Sequence, residues 1–214
     1  MEKDRSPRPG ADLIITGATE VLTGVPAPDD LIGRRAGISV AVAGEHILAL
    51  CPPGDVARQA DLTTARVIDA TGKIVAPGFI DCHTHLVFGG SRSQEYAARM
   101  TLDPAQIKVL GVPVGIQATV EMTRAANPET LAASAAERLR RMFRHGTTTV
   151  ESKSGYGLSL HKEIEMLRVN QQLRATQPVD VVSTFLGAHD FPRGMPREAY
   201  LDILIHEMTP RVAE

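Results

Sequence analysis

The sequence has no tryptophan, and aromatic residues make up only 4% of its 214 positions. Aromatic platforms for stacking nucleic-acid bases are therefore not expected. It has no surplus of basic charge either: 23 Lys and Arg stand against 25 Asp and Glu, for a formal net charge of −2. Binding to phosphates needs such a surplus, so nucleic acid is excluded as a partner. Cysteine occurs twice, at Cys51 and Cys82. That is too few for a disulfide framework and points to a reduced, cytoplasmic setting. No apolar run approaches the roughly 18–20 residues of a membrane span. Residues 1–10 are charged and proline-rich and lack the apolar core of a secretory signal. No membrane partner is expected. What is present, 43% hydrophobic and 22% charged residues, suits a globular fold.

The chain reads as three segments. Residues 1–11 are expected to be a flexible tail. Residues 12–76 hold short apolar runs broken by turn residues, which predicts five or six strands and a small β-sandwich domain. Within them, residues 38–42 alternate with period two, Gly44-Glu45 reads as a hairpin turn, and Cys51 as a small apolar filler. After Pro77-Gly78 the pattern changes to an α/β alternation. A strand buried on both faces is expected to run through Phe79-Ile80 and both sides of His83 and His85. Asn127-Pro128-Glu129 predicts a helix start, with Leu131, Ala135, Leu139 and Met142 on one face and Gly146 as its cap. Thr147-Thr148-Thr149-Val150 reads as a strand. A helix over 160–176 is expected to face inward through Leu160, Ile164 and Leu167. A strand over 179–186 and a helix over 197–208 follow. This order fits a parallel sheet or a (β/α) barrel, in which active sites lie at the C-terminal strand ends.

His83 and His85 are the sharpest chemical signal. Residues i and i+2 of a strand share a face, so two imidazoles can grip one divalent cation. Cys82, between them, is expected to pack behind the strand. The run Ala76-Pro77-Gly78-Phe79-Ile80-Asp81-Cys82-His83-Thr84-His85-Leu86 resembles the first barrel strand of the amidohydrolase superfamily, metal-dependent hydrolases of cyclic amides and deaminases. Three further segments resemble its imidazolonepropionase branch: Val87-Phe88-Gly89-Gly90-Ser91-Arg92-Ser93, Val150-Glu151-Ser152-Lys153-Ser154-Gly155-Tyr156-Gly157-Leu158, and Ser183-Thr184-Phe185-Leu186-Gly187-Ala188-His189.

That resemblance implies His83 and His85 as ligands of one metal ion, zinc or iron. It implies Arg92, Tyr156 and His189 as substrate-binding residues. Arg92 would hold a substrate carboxylate bidentately. The implied reaction opens 4-imidazolone-5-propanoate to N-formimino-L-glutamate in histidine degradation. Some relatives bridge two metals with a carboxylated lysine, but Lys153 lies on the second strand and is expected to pair with Glu151 or another acid. The full-length protein is expected to be a homodimer with a small carboxylate-bearing substrate.

Two segments depart from the family pattern. Residues 101–105 lack the expected tyrosine, and residues 111–115 replace a glycine-rich loop. Another small nitrogen heterocycle therefore remains an alternative substrate. Only three strand-helix units follow residue 77, where a complete barrel has eight and takes about 250 residues. The sequence thus reads as the N-terminal part of a barrel whose general base lies beyond Glu214. A truncated, non-catalytic fragment is the third reading.

Overall fold

A computed structural model describes residues 8–214. The chain divides into two units, one ending at Pro77 and one spanning Gly78–Glu214. Of the expected tail over 1–11, residues 1–7 lie outside the described residues. Gly10 already bridges to Asp61, and Ala11 is fully buried.

Among its described residues the first unit contains seven strands: β1 (Leu13–Thr16), β2 (Glu20–Leu22), β3 (Arg34–Arg35), β4 (Ser39–Ala43), β5 (His46–Cys51), β6 (Arg66–Asp69) and β7 (Ile74–Val75). They form a four-stranded sheet in the order β5-β4-β1-β6 and a three-stranded sheet in the order β3-β2-β7. The turn at Gly44-Glu45 joins β4 to β5 as an antiparallel hairpin. The alternation expected over 38–42 does not survive, because Ser39, Val40 and Ala41 are all buried. Ser39 tolerates burial because its hydroxyl donates to Thr16 Oγ1 at 2.9 Å. Ile14, Ala41 and Val56 form the core, with Cys51 packed against it as a filler. A helical turn at Pro53–Asp55 and α1 (Val56–Gln59) follow β5.

The second unit has three parallel strands, β8 (Phe79–Thr84), β9 (Thr147–Lys153) and β10 (Asp180–Thr184), in that spatial order. Four helices connect β8 to β9: α2 (Ser93–Arg99), α3 (Pro104–Val109), α4 (Gly115–Ala125) and α5 (Pro128–Arg144). Only the last was anticipated. Its N-cap is as expected, with the Asn127 side chain accepting from Thr130 N at 2.8 Å, and Gly146 follows at φ +90°. Helix α6 (Leu160–Thr176) connects β9 to β10. The chain closes with α7 (Arg197–Ile203), a π-helical turn (Leu204–Met208) and α8 (Thr209–Ala213).

Helices α5 and α6 cover one face of this sheet. Leu131, Ala135 and Leu139 of α5 meet Met166, Val169 and Leu173 of α6 and Val150 and Val181 of the strands. The inward face of α6 is therefore not Leu160, Ile164 and Leu167 but a stripe through Glu163, Met166, Val169, Asn170 and Leu173. Two polar members are tolerated because they are fully hydrogen-bonded. Nor is β8 buried on both faces or continued through His85. It ends at Thr84, and Phe79 and Ile80 are 64% and 71% exposed. Val182 of β10 is exposed too. Among the described residues, no helix is long and apolar enough to cross a membrane.

Leu139 has no exposed surface and sits inside the α5–α6–sheet cluster. Leu139→Ala should cost about 2–5 kcal/mol of stability. The expected result is a lower urea midpoint with an unchanged slope.

Candidate functional site

Three strand ends converge here. His83 lies on β8 and His85 just past its last residue, Thr84. Thr84 pins that end by donating from Oγ1 to Glu151 O at 2.6 Å. The two imidazoles stand 5.8 Å apart between ring centroids, at 63°. Arg138 of α5 locks the following turn. It donates to Leu86 O at 2.7 Å and to Phe88 O at 3.3 Å, and its guanidinium lies 3.5 Å from the Phe88 ring centroid.

Strand β9 delivers Tyr156 on the loop after Lys153. The Tyr156 ring lies 4.8 Å from His85 and 5.2 Å from His189. Strand β10 delivers His189. Its turn is fixed by Leu186 N donating to Ser154 Oγ at 3.0 Å and by the Tyr200 hydroxyl donating to Gly187 O at 2.7 Å. The His189 ring stacks on His85 at 4.5 Å and 15°. Its Nδ1 lies 3.3 Å from Gly155 O. A carbonyl can only accept, so in that contact Nδ1 is the donor.

Arg92 stands at the N-cap position of α2, partly exposed, with its guanidinium 3.5 Å from Glu95. Burial pushes the Tyr156 phenol up, and the Arg92 charge acts on the same phenol in the opposite direction. The structure therefore brings His83, His85, Tyr156 and His189 together and keeps Arg92 within electrostatic reach of Tyr156. Lys153 pairs with Glu151, as expected, and Thr184 Oγ1 donates to the same carboxylate at 2.6 Å. Those two partners hold the Glu151 carboxyl below the usual carboxylate range. Cys82 is exposed and does not pack behind the strand, because β8 carries no covering layer at that point.

Sequence reasoning missed two charged residues that shape this site. The Glu163 carboxylate accepts from the backbone N–H groups of Gly155, Gly157 and Leu158. Arg124 of α4 donates to the carbonyls of Gly157 and Leu158.

Among the described residues, one buried side-chain polar atom is left over. His85 Nδ1 is shielded from solvent and has no hydrogen-bond partner. Such an atom is costly unless something fills its lone pair or takes its proton. Burial, with the charges of His189 and His83 adding, pushes the His85 imidazole down to about 4. The ring is thus neutral near pH 7 and able to ligate a metal. Two neighbouring imidazoles, one with an orphaned nitrogen, fit a divalent cation as two of its ligands. Among the described residues, no group of three or more His, Cys, Asp or Glu is arranged to hold a metal ion.

Comparison with known proteins points to one family. A model of the amidohydrolase family matches residues 66–111, which include β8 and both histidines. An imidazolonepropionase of Halobacterium salinarum is 42% identical over 204 residues, covering 94% of this chain and 48% of that protein. That of Geobacillus kaustophilus is 44% identical over 179 residues, covering 82% and 42%. That of Symbiobacterium thermophilum is 41% identical over 210 residues, covering 94% and 49%. The chain thus spans about half the length of the curated relatives it matches. Two solved structures share the fold at low identity. A prolidase crystallised with N-methylphosphonate-L-proline superposes at TM-score 0.53 with 18% identity, covering 88% of this chain and 38% of that one. A triazine hydrolase from Arthrobacter aurescens superposes at TM-score 0.50 with 19% identity, covering 82% and 35%. The chain therefore belongs to the amidohydrolases, beside the imidazolonepropionases, of which it spans about half.

Proposed function

We propose that this chain forms the substrate-facing part of a metal-dependent hydrolase that opens 4-imidazolone-5-propanoate to N-formimino-L-glutamate. The observation that carries the reading is the meeting of His85, Tyr156 and His189 from three separate strand ends around an unpartnered His85 Nδ1.

His83 and His85 would hold the ion, zinc or iron. When bound, it would supply the Lewis acidity that makes water a nucleophile at neutral pH. The other residues bind and orient. Arg92 would turn its guanidinium to the propionate carboxylate. Glu95 can release it, because that carboxylate keeps Arg99 at 2.8 Å and the Gly115 N–H at 3.1 Å. Tyr156 would offer its hydroxyl to the ring. His189, held with its proton on Nδ1, would accept a ring N–H at Nε2. The ring C–N bond then breaks and the leaving nitrogen takes a proton. We assign that proton transfer to a carboxylate in the part of the protein that corresponds to the relatives' other half.

The test is turnover of 4-imidazolone-5-propanoate by the full protein loaded with zinc or iron. Release of N-formimino-L-glutamate supports the reading. No turnover with either metal overturns it. Turnover of a different small nitrogen heterocycle in its place would keep the chemistry and replace the substrate. Arg92→Ala should raise KM for the anionic substrate by about 10-fold to 100-fold, the scale of a charged hydrogen bond. An uncharged ring analogue should be affected little. Equal losses on both would remove Arg92 from carboxylate binding.

A further inference from the structure

We infer that Glu163 and Arg124 are positioning residues that clamp the 155–158 loop from opposite sides and so set where Tyr156 and His189 stand. This rests on the proposed reading in which those two side chains face the substrate.

The loop has no regular hydrogen-bond ladder, yet the backbone groups of Gly155, Gly157 and Leu158 are all bonded. On one side the Glu163 carboxylate takes three N–H groups: Gly155 at 2.9 Å, Gly157 at 2.8 Å and Leu158 at 2.8 Å. Glu163 has no exposed surface. A fully buried carboxylate is rare unless its charge is satisfied, and here three peptide dipoles do that work. On the other side the Arg124 guanidinium donates to Gly157 O at 2.7 Å and Leu158 O at 2.8 Å. The carboxylate and the guanidinium thus share the Gly157–Leu158 peptide group between them. Negative charge meets the N–H ends and positive charge meets the C=O ends. This arrangement also holds Leu158 at a positive φ of +47°, which a non-glycine residue adopts only under constraint.

Tyr156 sits inside the clamped segment, so the clamp sets the backbone from which its side chain departs. Its ring rests against His85, His189 and Phe88 and packs on both hydrophobic clusters of the unit. His189 is tied to the same segment through Gly155 O. A loop relaxed by loss of either charge would therefore shift both groups together. It would leave the strands and the His83–His85 pair where they are.

The experiment uses Glu163→Gln and Arg124→Gln in the full protein, with Asn170→Ala as control. Asn170 lies on the same helix and is also buried, but it is bonded to Ser152 rather than to the loop. The first readout needs no catalysis. The NMR ring-proton resonances of His85 and His189 sense the Tyr156 ring current. They should shift in Glu163→Gln and Arg124→Gln and stay in place in Asn170→Ala, even where all three melt at lower temperature. The second readout is turnover. Displacing substrate-contacting groups by about 1 Å can cost about a hundredfold, so kcat/KM should fall about that far in both clamp variants while metal content is unchanged.

Unmoved histidine resonances in both clamp variants overturn the inference. So does an equal shift in Asn170→Ala, since the effect would then be general loosening. Should Glu163→Gln fail to fold, Arg124→Gln decides the matter alone, because Arg124 reaches the loop from a separate helix. Shifted resonances in a protein whose parent turns over no imidazolone would uphold the clamp and remove the proposed substrate.

Discussion

Replacing His85 with alanine is expected to strip the protein of its metal and of its activity while leaving the metal-free fold close to its original stability. The two halves of that result have separate causes. Outer contacts to a metal ligand are worth about 10-fold to 100-fold in affinity, so removing a ligand itself should cost more than about 100-fold. Activity should fall at least as far. The stability half comes from the orphaned nitrogen. His85 Nδ1 is buried without a partner, so truncation relieves a desolvation penalty at the same time as it leaves a cavity. Metal should raise the melting temperature of the parent and not that of the variant. Metal content after dialysis and melting curves with and without added zinc would decide this. A large drop in metal-free melting temperature with unchanged metal content would make His85 a packing residue.

Acid sensitivity supplies a second check on the same side chain. The His85 imidazole is pushed from 6.5 down to about 4, chiefly by burial. As pH falls through that window the unfolded chain takes up the proton first. Stability of the metal-free parent should therefore decline from about pH 6.5 toward pH 4, and His85→Ala should lose part of that slope.

How much of this was legible in the sequence depends on whether the signal was local. The cap at Asn127, the hairpin at Gly44-Glu45 and the Lys153–Glu151 pair depend on neighbours a few residues away, and each is present. Helix α3 was equally legible and was overlooked. Asp103 and Gln106 form a reciprocal capping box with Pro104 at the first turn. Helix α4 is harder to read, because it opens on Gly115 and buries Thr119 and Thr123 where apolar residues would mark its inner face. Thr123 earns its place by accepting from Gly89 N at 3.0 Å, a partner 34 residues away.

Glu163 and Arg124 show the limit more sharply. On a helix each looks like an ordinary solvent-facing charge. Their partners are backbone groups of a loop, which have no identity in a sequence. The exposure of Ile80 and Val182 was also illegible residue by residue. Strand composition reports what a sheet face needs, not whether something covers it.

Gly155→Ala is expected to lower kcat/KM by about a hundredfold and to destabilise the fold by about 1–3 kcal/mol. Gly155 holds φ at +112°, a conformation L side chains rarely adopt. A Cβ there would lie 2.7 Å from His189 Cβ and 2.8 Å from Leu186 O. Neither neighbour is the far end of a flexible chain. One belongs to the stem of the histidine and the other to backbone that also bonds His189 N at 3.0 Å. Relief must therefore come from moving His189 away from its stack on His85, or from moving the loop that carries Tyr156. Either displaces a group that faces the proposed substrate.

Gly72→Ala is the matching control. It too has positive φ, +72°, but a Cβ there meets nothing within 4 Å. It should cost about 1–2 kcal/mol of backbone strain and leave kcat/KM untouched. Equal kinetic effects from the two substitutions would mean that strain alone, and not the close approach of Gly155 to His189, sets the loss.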